Sequence, residues 1–221
     1  MRFSSRSVLT FAFTTLCVAQ QSAVPVEQEP HHHLVFKNEF IEVMRVNVPP
    51  GQSTQFHTHG HDGAAVQLSS ATITQQKPGE AESPKQQGKP GDVSTRTVDT
   101  PYTHRVLNVG GTPFEVIDVE FLRRPQTPST TIAGEVVKEN PSARVYRWSI
   151  AAGEKAVPHT HARPYLVVAP AAMQLKTITS DGESVTDLLQ PGDFHWVDRG
   201  VRHTLENVGT QPGEIVEIEL K

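Results

Sequence analysis

The sequence predicts an all-β protein built from two tandem copies of one domain. Three observations carry that expectation: an internal repeat, apolar residues that alternate with polar ones, and short apolar runs closed by proline and glycine. The repeat comes first. At a shift of 102 residues, Asn38, Val43, Arg45, Gly51, His57, Thr58, His59 and Val66 meet identical residues. Pro90-Gly91-Asp92 meets Pro191-Gly192-Asp193 at a shift of 101, and Asp99, His104, Asn108, Gly110 and Glu120 find their counterparts at a shift of 99. Ordered identities with so little drift in offset describe a duplicated unit with short loop deletions.

The strands follow from the alternation. Ile117, Val119 and Phe121 alternate with Asp118 and Glu120, and Val216, Ile218 and Leu220 alternate with Glu217 and Glu219. Period two with one apolar face is the pattern of a half-buried strand. No stretch beyond the N-terminus keeps a helical period. Short strands between proline and glycine turns point to a sandwich or small barrel in each copy. Residues 75–90, QQKPGEAESPKQQGKP, read as a solvated loop between two strands of the first copy. The polar segment around Arg124 to Ala133 reads as a linker, which divides the chain into domains at 31–124 and 134–221 with a linker at 125–133.

The N-terminus belongs to neither domain. Arg2 and Arg6 precede the apolar run VLTFAFTTLCVA from Val8 to Ala19, and polar residues follow. This is the layout of a secretory signal peptide over residues 1–19, and the run is too short to span a bilayer as a helix, which takes roughly 20 residues. The expected location is periplasmic or secreted. Cys17, the one cysteine, would leave with the leader, so the exported chain would have no disulfide. A net charge of −4 without a lysine and arginine cluster speaks against nucleic acid, and no second apolar run suggests a membrane span.

The chemistry sits in the histidines. His57-Thr58-His59 and His159-Thr160-His161 each place two imidazoles on one face of a strand. A third histidine follows in each copy, His104 and His203. Imidazole is the common neutral ligand of zinc, iron, copper and nickel, so His57, His59, His104, His159, His161 and His203 are the expected metal ligands. His61 continues the period and is read either as a fourth ligand or as a solvent-facing turn residue. His31-His32-His33 follow the leader in a polar tail and receive no function.

These motifs carry a resemblance. Gly51, His57 and His59, then Pro90-Gly91-Asp92, then His104 and Asn108 form one set; Gly153, His159 and His161, then Pro191-Gly192-Asp193, then His203 and Asn207 form the second. They resemble the two conserved motifs of the cupin superfamily, and residues 35–221 resemble a bicupin. The resemblance implies two tandem double-stranded β-helix (jelly-roll) barrels, each with a metal site inside. It also implies a glutamate four residues after the second histidine, where this chain has Gly63 and Tyr165. Neither centre is therefore expected to hold a three-histidine, one-glutamate set, and Gly63 is expected to leave a void beside the first.

A divalent ion among neutral ligands favours an anionic partner, either a small organic substrate or an oxygen-derived ligand. Three-histidine cupins include thiol, diketone and gentisate-type dioxygenases, so the resemblance implies oxygen activation, with iron as the first metal and manganese, nickel or zinc as alternatives. A non-redox isomerase, lyase or hydrolase, or a binding module without catalysis, remains open beside it. Arg45 and Arg147 are candidate carboxylate clamps or structural ion-pair partners, and Tyr165 is a candidate donor to a bound ligand or a packing residue. The protein is expected to act on a small molecule as a monomer or homodimer.

Overall fold

The computed structural model describes residues 22–124, 131–198 and 200–221. The leader expected over 1–19 and most of the linker expected over 125–133 lie outside them. No helix among the described residues is long and apolar enough to cross a membrane.

The alternating segments are strands. The first copy contains β1 (Val24–Pro25), β2 (His32–Lys37), β3 (Ile41–Val48), β4 (His57–His59) and β5 (Gly63–Gln67). It is completed by β6 (Ala71–Gln76), β7 (Gln86–Gly88), β8 (Val93–Arg96), β9 (Tyr102–Asn108) and β10 (Phe114–Phe121). Two five-stranded sheets result, ordered β1-β4-β9-β6-β7 and β2-β3-β10-β5-β8. The second copy runs through β11 (Glu135–Glu139), β12 (Ala143–Ile150), β13 (His159–Thr160), β14 (Tyr165–Val168) and β15 (Met173–Thr179). It ends with β16 (Ser184–Leu189), β17 (Phe194–Val197), β18 (Arg202–Asn207) and β19 (Gly213–Leu220). Its sheets are ordered β11-β12-β19-β14-β17 and β13-β18-β15-β16. Strands that alternate between two facing sheets make each copy a jelly roll, as the repeat and its motifs implied. The first copy begins ahead of residue 31, because β1 pairs in parallel with β4 and sets Val24 beside His57.

One sheet of each copy, β2-β3-β10-β5-β8 in the first and β11-β12-β19-β14-β17 in the second, is covered by the other copy. Ile41, Val43, Ala64, Val66, Ile117 and Val119 of the first copy share a core with Val145, Leu166, Val168, Val216, Ile218 and Leu220 of the second. Burying one such aliphatic side chain contributes about 1.5–3 kcal/mol, so this shared layer is a large part of what holds the copies together. It also revises the reading of β10 and β19 as half-buried. Their apolar faces meet the other copy and their carboxylate faces line the inside of their own barrels, so Asp118, Glu120, Glu217 and Glu219 are all buried.

The copies are also pinned at their turns. Gly91 and Gly192 take positive φ values of 85° and 84°, which the Pro-Gly-Asp turns require. Nη2 of Arg147 donates to the carbonyl of Gly91 at 2.6 Å, and Nη2 of Arg45 donates to the carbonyl of Pro191 at 2.8 Å. Each copy thus holds the turn of the other with its own arginine.

Candidate metal centres

Pairing of β4 with β9 sets His57 opposite His104, and pairing of β13 with β18 sets His159 opposite His203. With His59 and His161 two residues on, three imidazoles converge inside each barrel. In each triad the ligand nitrogens lie within 4.8 Å of one another.

In the second barrel Nδ1–H of His159 donates to the carbonyl of Val157 and Nδ1–H of His203 to that of Val201, both at 2.9 Å. These bonds turn the Nε2 lone pairs inward, the arrangement by which backbone acceptors orient metal-binding imidazoles. Glu217 of β19 enters the same space. Its Oε2 lies 3.0 Å from Nε2 of His161 and 3.2 Å from Nε2 of His159, and its Oε1 lies 3.4 Å from Nε2 of His203. Nε1–H of Trp148 donates to Oε2 of the same carboxylate at 2.5 Å. Burial alone would lower the His161 imidazole, but the hydrogen bond to Glu217 and the nearby Glu219 carboxylate outweigh it and raise the group to about 9. Burial likewise opposes ionisation of Glu217, yet the surrounding imidazoles of His159, His161 and His203 hold it well below the usual carboxylate range. A proton on His161 does for Glu217 what a divalent cation would do. Nε2 of His159 is buried without a hydrogen bond, so the donor set fits a metal ion.

This corrects one expectation. The second barrel does hold three histidines and a glutamate, His159, His161, His203 and Glu217, all buried. The glutamate comes from the last strand, 56 residues beyond His161. The place expected to supply it holds Tyr165, whose ring stacks on His161 at 3.9 Å between centroids and whose hydroxyl is 3.4 Å from Nδ1 of His203.

The first barrel is built differently. Nδ1 of His57 faces the carbonyl of Gln55 at 3.0 Å, and Nδ1–H of His104 donates to Oε1 of Gln75 at 3.1 Å. Nε2 of His104 is therefore a lone pair, and Nε2 of His59 stands 3.1 Å from it. Such a pair needs one hydrogen or one cation between its nitrogens. Nε2 of His57 is buried with no partner, so this triad also fits a metal. Burial first, then neighbouring cationic groups, push His57 and His59 down to about 3 and His104 to about 2, which keeps all three in the neutral ligand form.

Asp118 does not join them. Arg96 of β8 donates from Nη1 to Oδ1 of Asp118 at 2.9 Å and from Nη2 to Oδ2 at 3.3 Å, and it also bonds Glu120. Although burial opposes it, this guanidinium holds Asp118 below the usual carboxylate range. The void expected beside Gly63 is filled by the same group, since a Cβ on residue 63 would sit 2.2 Å from Nη2 of Arg96.

The first centre has a neighbour that the sequence reading passed over. His32 lies in β2 rather than in a polar tail; it is buried, and its ring centroid is 4.6 Å from that of His57. Its Nδ1 is 2.6 Å from Oε2 of the buried Glu29. In the second copy the equivalent place is Gly134, and Trp148 takes the space and stacks on His159 at 4.2 Å.

No protein-family model matches this chain, and no curated protein does. Solved structures do. AerE from Microcystis aeruginosa superposes with a TM-score of 0.58 at 13% identity, over 87% of this chain and 98% of that one. A cupin 2 conserved barrel domain protein from Leptotrichia buccalis gives 0.54 at 13%, over 86% and 88%. The chain folds as a double cupin. Bacillus subtilis oxalate decarboxylase shares that fold, with a TM-score of 0.53 at 15% identity over 82% of this chain and 68% of that one.

Within this fold the remaining sequence candidates find their places. His61 is exposed in a bend and joins neither centre. Arg45 and Arg147 sit at the junction of the two cupin barrels, on the turns described above, and line neither cavity. Tyr165 lines the cavity of the second barrel, about 660 Å³, together with His203 and Glu217. The first cavity is about 350 Å³ and includes His32, Tyr102 and Arg96 beside its histidines.

Proposed function

We propose that the protein is an exported metalloenzyme whose catalytic centre lies in the C-terminal cupin barrel. There His159, His161, His203 and Glu217 hold one divalent ion, with iron first and manganese, nickel or zinc as alternatives. The observation that carries this reading is the Glu217 carboxylate set among three inward-facing imidazole nitrogens at a cavity of about 660 Å³. A bound iron(II) ion would supply oxygen activation of the dioxygenase kind. Export rests on the leader-like run from Val8 to Ala19.

The chain's own residues decide what enters. Leu175, Val185, Leu188, Leu189 and Phe194 give the cavity apolar walls, and Leu188 is 66% exposed at its mouth. Among the described residues no lysine or arginine lines it, whereas Glu183, Asp187 and Asp193 do. The expectation of an anionic substrate rested on a centre without a carboxylate, and Glu217 removes that reason. A small neutral molecule with an apolar body, such as a phenol, a diketone or a thiol, is the substrate class that fits. Tyr165 is placed to orient it, because its ring is held against His161 and its hydroxyl stays close to the centre.

The test is metal content of protein purified from its own host, then oxygen uptake with neutral phenols, diketones and thiols and with carboxylates as controls. Iron near one equivalent, turnover of a neutral compound and its loss in His159→Ala would support the reading. Full turnover in both His159→Ala and Glu217→Gln would overturn it. A redox-inert metal with turnover independent of oxygen would replace the dioxygenase class by Lewis-acid catalysis. Sequencing the mature N-terminus tests export.

A further inference from the structure

We infer that the two centres select different metal ions, and that Arg96 sets the difference by withholding Asp118 from the first. Asp118 lies opposite Met44 and Ala65, and Glu217 lies opposite Tyr146 and Val167. Those partners are related by the repeat, so the two carboxylates spring from the same point of their barrels. Their destinations differ. Glu217 reaches the inward nitrogens, while Asp118 comes no nearer to His59 than 4.0 Å, and that approach is to Nδ1, behind the ring.

Two features produce this divergence. Aspartate is shorter by one methylene, and Arg96 grips both of its oxygens. Arg96 stands opposite Gly63; the residue at its place in the second copy is Val197, opposite Tyr165. Valine cannot hold a carboxylate, so Glu217 is free to turn inward. The guanidinium has room only because residue 63 lacks a side chain. Gly63, Arg96 and Asp118 therefore act as one device, and Tyr165, Val197 and Glu217 as its counterpart.

The first centre is left with imidazole alone, beside a guanidinium. Imidazole suits zinc, nickel and copper, whereas manganese is the weakest binder of the first-row series and takes carboxylate oxygen by preference. Manganese should enter the second centre only, and nickel should enter both. This assignment concerns metal counts and stands apart from which barrel is catalytic.

The experiment is titration of the full, metal-stripped chain with Mn²⁺, followed by the resonance signal of the free ion, and with Ni²⁺, followed by calorimetry. One manganese and two nickel ions per chain are expected. Glu217→Gln is expected to weaken manganese binding by about tenfold or more, the scale on which metal-site partners act, while two nickel ions still bind. The paired change Arg96→Val with Asp118→Glu gives the first centre the valine and glutamate of the second and is expected to raise the manganese count to two. Since that variant puts a buried network at risk, Asp118→Asn provides a second measurement; it keeps an acceptor for Arg96 and is expected to leave both counts unchanged. Two manganese ions of similar affinity in the unaltered chain would overturn the inference. So would a single nickel ion, loss of the first nickel site in Asp118→Asn, or a folded Arg96→Val, Asp118→Glu chain that still binds one manganese.

Discussion

Oε2 of Glu217 and Nε2 of His161 lie 3.0 Å apart, whereas their counterparts in the first barrel, Asp118 and His59, meet only behind the imidazole ring. One repeat thus yields two centres with the same histidines and opposite use of the acid. The consequences are open to measurement.

Metal should stabilise the folded chain. A site saturated at about a hundredfold its Kd adds about 2.7 kcal/mol to the free energy of unfolding. Urea unfolding with and without chelator is expected to show a gain of this order for the unaltered chain. It should be smaller when His159 and His161 are both changed to alanine. Coincident curves for the unaltered chain would mean that neither triad binds metal.

Gly63→Ala is expected to destabilise the first barrel by about 1–3 kcal/mol, the usual cost of overpacking a buried site. Its methyl group would enter the Arg96 guanidinium, which Asp118 and Glu120 hold in place. Gly60→Ala is the control: nothing lies within 4 Å of a Cβ there. Equal unfolding midpoints for the two variants would contradict the filled space beside residue 63.

The layer between the copies should be the costliest place to remove atoms. Ile117→Ala, fully buried in the shared core, is expected to cost about 2–5 kcal/mol, and the exposed Leu188→Ala less than about 0.5 kcal/mol. Denaturant midpoints measure both. If Ile117→Ala proved as mild as Leu188→Ala, the copies would not be sharing a core in solution.

Arg147→Ala should weaken the clasp between copies without touching the chemistry. Its bond to the Gly91 carbonyl is charge-assisted but only partly buried, so a loss of about 1 kcal/mol is expected. Metal counts and turnover should stay as they were. A fall in turnover at unchanged stability would return Arg147 to the role of a substrate clamp.

Much of this was legible in the residues. The repeat and the period-two strands gave the all-β, two-copy architecture, and the paired His-Thr-His stretches marked the strands that carry the triads. Glu217 was not legible, for a physical reason. Its alternation with Ile218 describes one polar and one apolar face, and that pattern alone does not say which face meets water. Here the apolar face packs on the other copy and the acidic face turns inside. The sign that was available was repetition, since acids stand at the same places in both final strands. Arg96 was hidden for the converse reason: its counterpart is Val197, so the repeat drew no notice to it. His32 was lost among three consecutive histidines, of which it alone is buried.

The shared core and the reciprocal arginines join two barrels in the manner of a symmetric dimer whose halves lie on one chain. In a dimer of identical chains every substitution appears at both sites at once, so a change that tunes one pocket must be tolerated by the other. Joining the halves lifts that constraint. Glycine, arginine and aspartate could settle in one half while tyrosine, valine and glutamate settled in the other, with the contact surface between them left in place.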